Sequence, residues 1–323
     1  MNLELLKKII RKNSILHIFY KKIKYGINLL FHYAKPINKE LIARNNTGKE
    51  NFMTLKKIYR GGVAICCIVK NEAPYIKEWI EFHLLVGVSM FFIYDNESTD
   101  NLKEILKPYI EDGIVIYAYV KGTAMQFPVY NDCIANYKNC CDWIAFIDAD
   151  EFLMPVRNDS LSEILDDFKT YAGIGINWVV FDSNGHDKKP NGLVIENYTR
   201  VEADFDCERC RVIKSIVNPR KVKFCYHPHF FVYRFGEKCV DINKIPTDFY
   251  STKHNGRDVL RVNHYYTKSK DEYLEKINRG MADFKNAKRK EINLSDLNFP
   301  NSAEDCTALK FLPALKNRME TYP

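Results

Sequence analysis

Asp148 and Asp150 flank Ala149 at the end of the apolar run WIAFI, and Glu151 follows at once. Two carboxylates separated by one residue of extended chain point to the same side, so both can reach one cation, or one a cation and the other a ribose. Asn71 and Glu72 follow the run VAICCIV and Lys70, and Asp95 and Asn96 follow the run MFFIY. Three acidic clusters brought to one place would repel one another unless a cation or a ligand's hydrogen-bond donors neutralised them. Oxygen donors of this kind suit Mg2+ or Mn2+, which keep coordination places for water and for phosphate oxygens. The expected chemistry is therefore joint binding of a metal and a nucleotide diphosphate.

The elements that must position these residues can be read from periodicity. VAICCIV, MFFIY, IVIYAYV at 114–120 and WIAFI are short, unbroken apolar runs, as expected of strands buried on both faces of a parallel sheet. Between the first two, Pro74 suits a first helical turn. Ile76, Trp79, Ile80 and Leu84 recur at helical spacing, and Gly87 suits the stop. Asp100 can cap a second helix through Leu102, Ile105 and Leu106, and a third spans about 129–139. Four alternations of strand and helix imply right-handed crossovers and an α/β fold, a doubly wound, mostly parallel sheet with helices on both faces. Such sheets bind ligands beyond the carboxyl ends of their strands, where all three clusters fall.

The second half is less regular. It reads as a helix near 160–172, the strand IGINWVVFD, the polar loop SNGHDKKPNG, strands near 211–217 and 221–235, and the strand VLRVNHYY. Ser269-x-x-Glu272 is a capping box opening a long final helix. The division expected is a basic amphipathic N-terminal segment and linker over 1–60, the sheet domain over 61–285, and a C-terminal extension over 286–323.

Composition bounds the alternatives. Of 323 residues, 46% are hydrophobic, enough to bury one large core with appendages. Residues 1–35 hold eight Lys/Arg against Glu4 alone, which leaves forty bases facing forty acids in the rest. A balanced main body gives no footprint for nucleic acid, and its aromatics are not interleaved with bases. Ten cysteines in a chain this long read as thiols, and the Cys207-x-x-Cys210 pair lacks the second pair of a zinc knuckle. Residues 1–35 have no clean apolar core for a cleaved signal and no stretch of roughly 20 apolar residues for a bilayer span. Leu5, Leu6, Ile9, Ile10, Ile15, Leu16, Phe19, Ile23 and Ile27 instead recur at helical intervals among the bases. That pattern suits an amphipathic helix on an anionic membrane surface, hence a cytoplasmic, peripherally membrane-associated protein; a helix packed on its own domain has the same pattern.

The segments CCIVKNEAPYIKEWIEFHLLVGVSMFFIYDNESTDN, WIAFIDADEFL and VNHYYTKSKDEY, in this order and spacing, resemble glycosyltransferase family 92 and its relatives in the family 2-like GT-A superfamily. The resemblance covers about residues 62–285. It implies a GT-A (Rossmann-like) domain with acceptor-side additions in its second half. It further implies that Val69, Asn71 and Glu72 shape a nucleobase pocket and that Asp95 contacts base or ribose. Asp148 and Asp150 would hold ribose and metal, with His264 completing the metal shell. The reaction implied is inverting transfer of a hexose, galactose among the options, from a UDP-sugar to a glycan or lipid-linked saccharide, with Mn2+ or Mg2+ stabilising the leaving diphosphate. Inversion calls for a base near the acceptor hydroxyl. Asp182 and His186, in the FDSNGH stretch, lead the candidates, followed by Glu202, Asp204, Asp206, His227 and His229. Lys214, Arg220 and Arg234 are candidate phosphate or acceptor contacts. Two other functions compete: a nucleotidyl- or phosphotransferase on the same acidic edge, though no P-loop or G-x-G-x-x-G is present, and a membrane-surface scaffold without enzymatic activity.

Overall fold

The computed structural model describes residues 42–44, 61–247, 249–252, 256–279 and 297–321. The amphipathic pattern of residues 1–35 lies outside them. In chain order the first elements are β1 (Ile42–Arg44), β2 (Val63–Val69), α1 (Ala73–Leu85), β3 (Val88–Asp95), α2 (Leu102–Glu111), β4 (Val115–Val120), α3 (Gln126–Tyr137) and β5 (Trp143–Phe146). All seven residues of β2 and all four of β5 are buried, as their uninterrupted apolar character requires of strands covered on both faces. The order across the sheet is β4-β3-β2-β5, all parallel, with β1 antiparallel on β4. The chain therefore builds outward from β2 to β4 and returns to the other side of β2, which makes the β2/β5 boundary a topological switch point.

The second half continues with β6 (Glu151–Pro155), α4 (Leu161–Asp166), β7 (Gly173–Val180), α5 (Val194–Asn197), β8 (Arg200–Glu202), β9 (Ile213–Val217), β10 (Val222–His227), β11 (Phe230–Tyr233), β12 (Cys239–Asp241) and β13 (Leu260–His264). Then come α6 (Lys270–Arg279), β14 (Ser302–Glu304) and α7 (Leu312–Thr321). Here the sheet is mixed. β9 runs antiparallel between β5 and β7, β13 is parallel to β7, and β6 is antiparallel to β13. The parallel sheet read from the sequence is thus realised in the first half. In the second half two strands run against their neighbours: β9, inserted between β5 and β7, and β6, paired with β13 at the sheet edge.

Packing ties the elements of this second half to α1. Trp79 and His83 are fully buried, the Trp79 Nε1–H donates to the Glu151 carbonyl at 2.7 Å, and the Leu153 N–H donates to His83 Nε2 at 3.0 Å. His83 Nδ1–H donates in turn to the Trp79 carbonyl at 2.7 Å, and burial pushes the imidazole down to about 3, so it stays neutral. One helix face thereby fixes the start of β6. The C-terminal residues join the same core: Leu315 of α7 is fully buried, and Arg318 donates to Glu81 of α1 at 2.7 Å. Residues Ser302–Glu304 of β14 pair with β8. No helix among the described residues is long and apolar enough to cross a membrane.

Candidate functional site

The loops after β2 and β3 are stitched together by their own polar residues. Asp100 accepts the Ala73 N–H at 2.9 Å and the Leu102 N–H at 3.3 Å, so one carboxylate serves the first turns of both α1 and α2. Asn71 adopts φ 55°, a left-handed conformation that asparagine tolerates, and its Oδ1 accepts the Thr99 N–H at 2.8 Å. The Asn71 N–H donates to Ser98 Oγ at 3.0 Å. Val69 is buried and opposes Asp95 across the β2–β3 ladder. Asp95 accepts from the Ser98 N–H at 2.8 Å and from the Tyr117 hydroxyl at 2.7 Å. It lines a cavity of about 260 Å³ with Ser98, Asp100, Lys103, Tyr117 and Tyr119. Glu72 is largely buried and stands 3.8 Å from the Lys268 ammonium.

After β5 the chain turns rather than staying extended. The Glu151 N–H donates to the Asp148 carbonyl at 3.1 Å, and the Asp148 N–H donates to Glu151 Oε2 at 2.9 Å, which closes residues 148–151 into a compact turn. The turn sends the two aspartates to different partners. Asp148 accepts from Lys214 Nζ at 2.8 Å and from Gln126 Nε2 at 3.1 Å. Asp150 accepts from Lys276 Nζ, and its Oδ2 lies 3.7 Å from His264 Nε2. The same-side arrangement expected of an extended Asp148–Asp150 segment is therefore corrected: at a turn the period-two rule no longer applies.

Strand register explains each partner. Glu151 opposes His264 across the β6–β13 ladder, and the Tyr265 N–H donates to the Asp150 carbonyl at 2.9 Å, so His264 is delivered to the acidic turn by antiparallel pairing. Phe146 opposes Ser215 across β5–β9, which puts Lys214 beside the residues that lead into Asp148. Lys214, 1% exposed, also lies 3.2 Å from Glu151. Burial would lower its pKa, but Asp148 and Glu151 reverse that and raise it. Burial pushes Glu151 up to about 8; Lys214 opposes this, while Asp148 and Asp150 add to it. At Asp150 burial acts in the same upward direction, yet Lys276 and then His264 hold the carboxyl well below the usual carboxylate range. His264 is lowered chiefly by its own burial.

Two donors about 2.1 Å from one octahedral ion can stand up to roughly 4.2 Å apart, and the 3.7 Å between Asp150 Oδ2 and His264 Nε2 lies within that reach. Asp148, held by Lys214 and Gln126, does not complete the set. Among the described residues no three His, Cys, Asp or Glu side chains gather as a metal site. The same holds for Cys207 and Cys210, where the Cys210 N–H donates to Cys207 Sγ at 3.4 Å. The rings of His227 and His229 stand 5.2 Å apart; burial and then Lys214 push His227 down to about 4, and His229 Nδ1 is paired with the Ile213 carbonyl at 2.8 Å.

Several other expectations change. Asp182 has a fully buried side chain whose oxygens accept from the Asn184 N–H at 2.8 Å and the Phe299 N–H at 3.3 Å, with Arg200 at 3.7 Å. That carboxylate organises a loop and is closed to an acceptor hydroxyl. His186 is accessible and lines a second cavity of about 270 Å³ with Ser183, Asp187, Lys270 and Asn298. Glu202 and Asp204 accept N–H groups of their own turn, at 3.2 and 3.1 Å, and Asp206 lies 4.0 Å from Arg211. Arg220 donates to Asp142 at 2.9 Å, before the start of β5, and Arg234 donates to the Arg220 carbonyl at 2.9 Å. Both therefore sit toward the amino end of β5, away from the acidic turn. Lys214 is an internal counter-charge, not a free phosphate contact.

Lys276 and Gln126 were not singled out as site residues from the sequence. For Lys276 a signal existed: Ser269, Tyr273 and Lys276 share one helical face, and Ser269 and Tyr273 are buried. The capping box is formed as read, with the Glu272 N–H donating to Ser269 Oγ at 3.4 Å and the Ser269 N–H to Glu272 Oε2 at 3.1 Å.

The family model of glycosyltransferase family 92 matches residues 62–298. A glycosyltransferase family 92 protein of Oryza sativa subsp. japonica is 26% identical over 226 residues, 69% of this chain and 36% of that protein. Galactan beta-1,4-galactosyltransferase GALS2 of Arabidopsis thaliana is 30% identical over 113 residues, 32% of this chain and 22% of its own length. Beta-1,4-galactosyltransferase galt-1 of Caenorhabditis elegans is 24% identical over 244 residues, 69% of this chain and 52% of its own. The chain spans little more than a third of the rice relative it matches.

Proposed function

Because the chain belongs to glycosyltransferase family 92, we propose that it transfers a hexose, galactose in the first instance, from a UDP-sugar to a glycan or lipid-linked saccharide. The observation that carries this reading is the meeting of three polar strand ends, Asn71-Glu72, Asp95 and the 148–151 turn, at the carboxyl edge of a parallel sheet beside its switch point. The two relatives named as β-1,4-galactosyltransferases favour galactose among hexoses.

In this reading the nucleoside lies in the cavity beside Asp95, between the loops that Asn71 and Asp100 hold together. Asp148, oriented by Gln126 and Lys214, faces the ribose. A divalent cation, Mn2+ or Mg2+, would be held by Asp150 and His264 and would neutralise charge on the leaving diphosphate. The acceptor hydroxyl oxygen bonds to the anomeric carbon from the face opposite the diphosphate. The bond from that carbon to the diphosphate oxygen breaks, and the configuration inverts. His186 takes the hydroxyl proton. The basic residues 1–35 dock the enzyme on the anionic cytoplasmic surface of a membrane, which would bring it to lipid-linked acceptors.

The test is thermal stabilisation of the purified protein by a panel of nucleoside diphosphates and nucleotide sugars, each with and without Mn2+, because a ligand selective for the folded state raises the midpoint. A selective rise with UDP or a UDP-hexose that grows with Mn2+ is expected. A folded sample that none of them stabilises would overturn the reading.

A further inference from the structure

We infer that Lys276 holds the place of a divalent cation on Asp150 in the donor-free protein and becomes a ligand of the donor diphosphate once that place is taken. The inference rests on the transferase reading above. Lys276 Nζ donates to Asp150 Oδ2 and to the Tyr266 carbonyl at 2.8 Å, and lies 4.3 Å from the centre of the Tyr266 ring. That same Oδ2 faces His264 Nε2 at 3.7 Å. The ammonium therefore occupies the oxygen that Asp150 would offer to an ion shared with His264.

The charges of the cluster are already paired. Asp148 has Lys214, which also lies 3.2 Å from Glu151, and Asp150 has Lys276. The two lysines differ in their freedom to leave. Lys214 is the second residue of the wholly buried β9, 1% exposed, and is shared between Asp148 and Glu151. Lys276 projects from α6, its side chain 13% exposed, on a stem of four rotatable carbons.

A divalent cation arriving alone brings two positive charges to carboxylates that already have ammonium partners and must displace a like-charged ammonium. A diphosphate arriving with it brings compensating negative charge, and an ammonium moved off Asp150 regains a charge-assisted partner in a phosphate oxygen. Lys268, 3.8 Å from Glu72 and 3.2 Å from the centre of the Tyr75 ring, would flank the same phosphates from the β2 side. Lys276 would thus couple metal binding to donor binding and disfavour a metal-loaded, donor-free enzyme.

Lys276→Met keeps the stem and removes the charge, and the two expected effects have opposite signs. Mn2+ binding to nucleotide-free protein, followed by electron paramagnetic resonance, should tighten about tenfold or more, while UDP binding in saturating Mn2+ should weaken about tenfold or more. Structural damage would weaken both. Mn2+ affinity equal to or below wild type in Lys276→Met overturns the proposal, as does unchanged UDP affinity. The wild-type protein supplies a second arm should the variant fail to fold: UDP should tighten Mn2+ binding, and equal Mn2+ affinity with and without UDP overturns the coupling. If UDP binds but Mn2+ binds neither protein, both this exchange and the metal of the proposed mechanism fall. If Mn2+ strengthens UDP binding equally in both proteins, only the role of Lys276 falls and the transferase reading stands.

Discussion

The Lys214 ammonium lies 2.8 Å from Asp148 Oδ2, and Lys214 is the second residue of a strand whose five residues are all buried. A lysine in that setting exists only with its counter-charges, because an unpaired buried charge is costly. Lys214→Met should lower unfolding free energy by about 3 kcal/mol, the lower end for breaking a buried pair, since Glu151 can take up a proton. Urea denaturation reads this directly, and an unchanged midpoint would show that the pair contributes nothing.

Asp150→Asn keeps shape and volume but removes the charge that Lys276 and His264 face. Circular dichroism should stay native while hexose transfer falls roughly a hundredfold or more, the scale of losing one electrostatic contact to the transition state. Full turnover in this variant would remove Asp150 from the site.

Two residues of the 182–186 stretch should separate cleanly. Asp182→Asn disturbs the acceptors of the Asn184 and Phe299 amides, so its effect should be a lower melting midpoint with turnover per folded molecule preserved. His186→Ala should leave UDP affinity unchanged and cut turnover roughly a hundredfold, as expected for a lost general base. Retained turnover would exclude His186 from that role.

Glu78 carries a pH signature of its own. Burial lifts its carboxyl from 4.5 to about 7, against the opposing hydrogen bonds from the Val194 and Ile195 amides. Between those values the folded chain holds a proton that the unfolded chain has released. The stabilisation is complete below about 4.5 and is lost as pH rises through about 7. Wild-type protein should therefore lose about 1–3 kcal/mol between pH 5 and pH 8, and Glu78→Gln should lose less over the same range. Parallel slopes for the two proteins would contradict the shift.

Removal of residues 1–35 deletes eight bases and one acid. If that segment docks the enzyme, the truncated protein should no longer co-sediment with anionic liposomes at physiological salt, while UDP-dependent thermal stabilisation persists. Undiminished sedimentation would assign membrane binding elsewhere or deny it.

Legibility followed the range of the interactions involved. The edge residues Asn71, Glu72, Asp95 and Asp148 are legible because each ends or follows a largely buried strand, and such strands declare themselves as apolar runs. The capping box at Ser269 and Glu272 is equally local and formed as read. The surroundings of Asp182 are not legible locally, because burial and the backbone amide of Phe299, far along the chain, decide them. Nothing local to Arg220 reveals its partner Asp142, 78 residues away, which only the fold brings to it.

The amino-acid sequence alone determined the alternating first half, its parallel strands and the identity of the acids at their ends, because periodicity and helix stops act over a few residues. The tertiary structure decided how those acids are used. The turn at 148–151 parts Asp148 from Asp150, antiparallel insertion of β9 brings Lys214 to one, and the β6–β13 register and α6 bring His264 and Lys276 to the other. These are pairings between residues 66 to 126 positions apart, set by strand register and by the requirement that buried charges find partners.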